Sequence, residues 1–187
     1  MRRLQDGQVL AMTDATASAC GTPTQLRFSP DGGRLLGWSA GKICVWRTDS
    51  AALVAMASEA FTAAALTNTG VVVGRRLSTG RLAVEALSLP GLTRTSIPLE
   101  LPAAPALTDP GTLVISPTGD SFVAAVQTDK GRSRTLWDGA GTMLVTRPFF
   151  EERAVVFSPD GRHVLLGGAL DAIVNARTGR SSANSRT

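Results

Sequence analysis

His163 is the only histidine in the chain, so a histidine-based triad or metal site would have to be built on it. A triad needs a nucleophile for the imidazole to deprotonate and a carboxylate to orient the ring. No carboxylate pattern beside His163 in FSPDGRHVLL supports that arrangement. GWSAGKI, from Gly37 to Ile43, has the glycines and lysine of a phosphate loop. It is one residue short between the glycines, and isoleucine stands where magnesium binding needs Ser or Thr, so it reads as a turn. Glu151 and Glu152 are adjacent acids, which are ordinarily solvated charge. The sequence has no HExxH and no cysteines at zinc spacing. Cys20 and Cys44 lack a CxxC spacing and histidine partners. Two cysteines make no disulfide framework, which points to a reducing compartment. The expectation is a chain with no catalytic residue, no cofactor and no metal, and therefore not an enzyme.

Composition narrows the remaining classes. The 187 residues are 43% hydrophobic and 18% charged, as in a globular chain of one domain or two small ones. Net charge is +4, and the basic residues are arginines apart from Lys42 and Lys130. They are scattered among the acids rather than gathered into a stripe with interleaved aromatics, which argues against nucleic acid. No apolar run reaches the length of a membrane span. MRRLQDGQVLAM opens with paired arginines, but Gln5, Asp6 and Gly7 interrupt any apolar core of an export signal. A cytoplasmic protein is expected.

The elements that would position any site come from a repeated phrase. LRFSPDGGRLLGWS (Leu26–Ser39) returns as VVFSPDGRHVLLGG (Val155–Gly168), with ISPTGDSFVAAV (Ile115–Val126) and LTNTGVVVGRR (Leu66–Arg76) as weaker copies. The turn glycines Gly32, Gly70, Gly119 and Gly161 are separated by 38, 49 and 42 residues. A period near 43 is that of a structural repeat. In each unit an apolar run enters a Ser-Pro-x-Gly turn, where proline fixes one φ and glycine tolerates the next. A second run, a polar break, a third run (KICVW, SRTLW, DAIVN) and a further turn follow. Four short strands per period is one antiparallel propeller blade.

FSPDGGRLLGWSAGKICVWRTDSA resembles the WD-repeat β-propeller unit, and LWDGAG (Leu136–Gly141) carries the Trp-Asp pair itself. The likeness covers nearly the whole chain. It departs where Trp46 is followed by arginine, where the Gly-His opening is absent, and where only Asp129 and Asp171 match the turn aspartate. The hydrogen-bonded tetrad of typical blades is thus incomplete. The resemblance implies an all-β propeller of about four four-stranded blades over 1–180. The blades fall near 23–58, 59–98, 108–147 and 151–176, followed by a polar tail, 181–187. AALVAMASEAFTAAAL (Ala51–Leu66) has helix-favouring composition but strand-like position, and strand is the preferred reading. PGLTRTSIPLELPAAPALTDPG (Pro90–Gly111), with five prolines, reads as an edge strand and a long connection. GQVLAM (Gly7–Met12) could complete the last blade. Three closures stay open: a four-blade ring, an eight-blade ring from two chains, or a fragment of a longer propeller.

Within that framework His163 takes a variable, solvent-facing position. The function implied is a non-enzymatic protein-interaction scaffold. The alternatives are a remnant or half-ring of a larger WD-repeat protein, or a support for an enzyme or sensor domain elsewhere. Partners are other proteins, including a homodimer that completes a larger ring, with neither nucleic acid nor membrane. In RPFFEER, Phe149, Phe150 and Arg153 stand in the connection before the fourth unit, on the face such rings commonly use. Aromatics beside arginine are typical of binding hot spots. Trp38, at the end of a second strand, is a similar candidate; Trp46 and Trp137 read as structural.

Overall fold

The computed structural model describes residues 20–39, 41–59, 61–95, 99–101, 113–128, 131–148, 154–167 and 172–181. Its named elements are all strands, in four antiparallel sheets arranged as a four-blade β-propeller. The first blade holds β1 (Gln25–Phe28), β2 (Arg34–Ser39), β3 (Lys42–Arg47) and β4 (Leu53–Ala57), in that order. The second holds β5 (Ala63–Leu66), β6 (Gly70–Arg76) and β7 (Leu82–Ser88). Its outer edge is made of two short pieces, β8 (Thr93–Arg94) and β9 (Leu99–Glu100), both paired with β7. The third holds β10 (Val114–Ile115), β11 (Ser121–Thr128), β12 (Gly131–Asp138) and β13 (Met143–Pro148). The fourth holds β14 (Val155–Phe157), β15 (His163–Leu166) and β16 (Ala172–Asn175), with Ser181 bridging to Val174.

The alanine-rich stretch is strand, not helix: β4 pairs with β3 and β5 with β6. Alanine's helix preference is overridden because Ala55, Ala63, Ala64 and Ala65 are buried between blades, where a small side chain lets sheets approach. The proline-rich stretch does become an edge, as β8 and β9, after a cis Leu89–Pro90 bond. Residues 7–12, Asp129 and Asp171 lie outside the described residues.

The core lies between blades. One apolar cluster joins the first blade to the second through Leu36, Ile43 and Val45 on one side and Leu66, Val71 and Val73 on the other. A second packs Val72 and Leu82 against Phe122 and Trp137, joining second to third. A third packs Val123 and Leu136 against Phe157, Val164 and Val174, joining third to fourth. Inner blades are covered on both faces, so β6 is buried almost continuously. Polar links run beside these clusters. The Arg34 guanidinium donates to the Asn68 carbonyl at 3.0 Å, and Ser121 Oγ to the Ala176 carbonyl at 3.2 Å. The buried Arg134 donates to the Gly167 carbonyl, and Arg177 pairs with Asp120. They link blades whose sequences lack a full tetrad.

Candidate binding surfaces

The repeated Ser-Pro-Asp-Gly phrase folds as a self-contained turn. Gly32 N–H donates to the Ser29 carbonyl at 2.9 Å, and Gly161 does the same to Ser158. Ser29 Oγ accepts from Arg34 N–H at 2.9 Å and donates to Asp31, whose carboxylate also accepts from Gly33 N–H at 3.0 Å. Ser158, Asp160, Arg162 and His163 repeat this set in the fourth blade. The hydroxyl donor, then the backbone N–H, hold Asp31 and Asp160 below the ordinary aspartate pKa of 3.8. The second unit differs. Thr67 N–H donates to the Gly70 carbonyl, so the loop is two residues long and Gly70 starts a strand without positive φ.

The Asp31 turn borders an open cleft of about 310 Å³ lined by Asp31, Gly33, Arg34, Arg47, Thr48 and Asp49. Arg47 grips Asp49 through Nε at 3.0 Å, which raises the arginine pKa and lowers that of the aspartate. Thr48 Oγ1 donates to the Gly32 carbonyl at 2.8 Å. Both carboxylates are thus held ionised by local donors. This suits a turn-to-turn stitch and not proton transfer near neutral pH. Among the described residues, no group of three or more His, Cys, Asp or Glu is placed to hold a metal ion.

A second charged cluster had no signal in the sequence. Glu85 on β7 is fully buried, with Arg75 Nε and Arg94 Nε each 3.0 Å from one of its oxygens. Arg94 also reaches Glu59 at 2.8 Å, in the connection from the first blade to the second. One buried carboxylate with two guanidinium groups locks the outer strand of the second blade to that connection.

The residues expected to bind partners fare differently. Trp38 is corrected: its indole is 8% exposed, within the cluster between the first and second blades. It sits on a strand face that the next blade covers, so it packs rather than binds. Phe149, Phe150 and Arg153 lie outside the described residues. Trp46 and Trp137 are buried, as expected. His163 is exposed at the start of β15. GWSAGKI spans the β2–β3 hairpin, with Gly41 at φ +82°. Cys20 and Cys44 form a disulfide, with Cα atoms 6.1 Å apart. That corrects the expectation of unpaired thiols and removes its argument for a reducing compartment. No helix among the described residues is long and apolar enough to cross a membrane.

The exposed apolar surface lies mainly at the two ends of the blade series. In the second, third and fourth blades, the apolar residue before the turn is buried against the preceding blade. These are Leu66 at 2%, Ile115 at 8% and Phe157 at 9% exposure. Phe28 holds that position in the first blade and is 61% exposed. Leu26 and Met56 lie on the same face, part of which Cys20 covers with Cys44 and Trp46. At the other end, Val156, Leu165 and Ile173 form one cross-strand row. The matching row of the third blade, Val114, Val123 and Leu136, packs on the fourth. In the fourth blade Val156 and Ile173 are each 53% exposed. Among the described residues, no apolar cluster joins the first blade to the fourth.

No family model matches the chain, and no curated protein does. Among solved structures it is similar to a putative 6-phosphogluconolactonase from Bacteroides uniformis. That likeness has 17% identity and a TM-score of 0.51, over 94% of this chain and 57% of that one. It is also similar to the dihydro-heme d1 dehydrogenase NirN in complex with DHE, at 20% identity and TM-score 0.48, over 86% of this chain and 36% of NirN. A eukaryotic initiation factor matches at 14% identity and TM-score 0.46, over 97% and 57% of the two chains. This chain therefore spans less than two thirds of each. At 17% identity the Bacteroides likeness shows the fold alone, but it corrects the expectation that the chain is not an enzyme. A protein named for a lactonase carries this fold, so a propeller fold does not exclude catalysis. What the chain is similar to is a β-propeller.

Proposed function

We propose that the chain is a protein-binding propeller module with blades of WD-repeat type, and that it engages polypeptide through the two end faces of its blade series. The observation that carries this reading is the position-matched contrast between Phe28 and its buried counterparts Leu66, Ile115 and Phe157. A large apolar side chain repeated in one register and left uncovered in one copy marks a contact surface. The repeated Ser-Pro-Asp-Gly turns and the Trp-Asp pair of LWDGAG support the WD-repeat type of blade.

The test combines Phe28→Glu and Ile173→Glu in one chain and follows thermal stability, self-association and binding of an apolar fluorescent dye. Wild type should either bind dye on open faces or shelter them in an assembly, and the variant should do neither. Its Tm should stay within about 2 °C of that of monomeric wild type, as for surface substitutions in a chain of this size. A wild type that is monomeric and dye-silent would sink the proposal. So would a variant that loses its fold, since these side chains would then belong to the chain's own core.

A further inference from the structure

The two end faces are the two halves of one blade-to-blade contact, and we infer that a second copy of this chain covers both, closing a ring of eight blades with two-fold symmetry. This rests on the protein-binding reading above and names its partner.

The argument starts from register. Each internal contact sets the trailing face of one blade against the leading face of the next. In the third-to-fourth contact, Val123 and Leu136 meet Phe157, Val164 and Val174. The fourth blade presents the same trailing row as Val156, Leu165 and Ile173, and the first blade the same leading residue as Phe28. Among the described residues, no blade packs on the trailing face of the fourth or on the leading face of the first. A second copy supplies both at once.

The turns record the same vacancy. A Cβ on Gly161 would lie 2.6 Å from Thr118 in the turn of the preceding blade, and one on Gly119 would lie 2.7 Å from Val72. A Cβ on Gly32, with the same positive φ, would meet nothing within 4 Å. Polar chemistry agrees. Arg34 reaches forward from the first blade to the turn carbonyl of Asn68 in the second. His163 has the register of Arg34, since Ser29 N–H bonds the Arg34 carbonyl as Ser158 N–H bonds that of His163. It stands at the uncovered trailing face, while the turn it would meet on the second copy carries the ionised Asp31. A polar side chain at the trailing end therefore faces an acceptor turn at the leading end.

Closure follows from the count. A head-to-tail contact between copies gives a ring when the rotation closes and a filament when it does not. Two copies give eight blades, within the usual propeller range of about four to eight.

The experiment is light scattering across a range of concentrations on the full chain, wild type and variants. Wild type is expected as a discrete dimer of twice 19.4 kDa. Phe28→Glu and Ile173→Lys, taken singly, should each halve the mass with unchanged circular dichroism, because each substitution strikes both contacts of the ring. Combined in one chain, their opposite charges should restore the dimer. A wild-type monomer that binds the apolar dye would overturn the second copy yet leave the protein-binding reading standing. A dye-silent monomer would overturn both. A dimer indifferent to either substitution, or a ladder of ever larger assemblies, would overturn the two-fold ring.

Discussion

At the scale of single residues, the repeated phrase is a set of local hydrogen bonds. Serine supplies an acceptor for a backbone N–H and a donor to the aspartate, and the aspartate accepts from a second N–H. These partners lie within five residues, so the turn was legible from the letters SPDG. The depressed pKa values of Asp31 and Asp160 make it acid-sensitive. A carboxylate whose pKa is lower folded than unfolded contributes stability above its unfolded pKa, and that contribution is lost as pH falls through the folded value. Wild type should therefore melt above Asp31→Asn at pH 7. The two Tm curves should converge as pH drops below 3.8, the ordinary aspartate value. Parallel curves would show that the carboxylate's charge is not what the turn uses. Trp38 illustrates the opposite case. Its letters fit a surface hot spot and a core residue equally, and only the neighbouring blade decides.

At the scale of elements, the strands were readable because turn signals punctuate them, even across the alanine-rich stretch that composition alone would make helical. What decided for strand there was pairing with β3 and β6. The second blade's shorter turn was harder to see, since Thr67 and Asn68 replace the Ser-Pro pair and the hairpin closes two residues early. The turn glycines can now be ranked. In monomeric protein Gly32→Ala should cost about 1 kcal/mol, because alanine is strained at positive φ but has open space. Gly161→Ala carries the same strain and also drives a methyl into Thr118, so its cost should be about 2–3 kcal/mol. Denaturant midpoints compare them directly. Equal losses in monomeric protein would mean the turns do not dock on the preceding blade.

At the scale of the molecule, the disulfide ties the segment preceding the first blade to that blade's leading face. A bond between residues 24 apart in sequence should contribute about 3 kcal/mol by restricting the unfolded chain. Cys20→Ser should lower stability by that amount in non-reducing buffer and by almost nothing in strong reductant. A loss of equal size in both buffers would assign the effect to packing beside Trp46. The sequence by itself determined the all-β class, the repeat period and the chemistry of the Ser-Pro-Asp-Gly turns. All of these are written in local order along the chain. The cysteine pairing, the Glu85 cluster and the burial of Trp38 were decided only by tertiary structure. So was the exposure of Phe28, Val156 and Ile173. Each depends on which blade stands beside which, and the letters around Phe28 and Phe157 are the same whether or not a neighbour covers them.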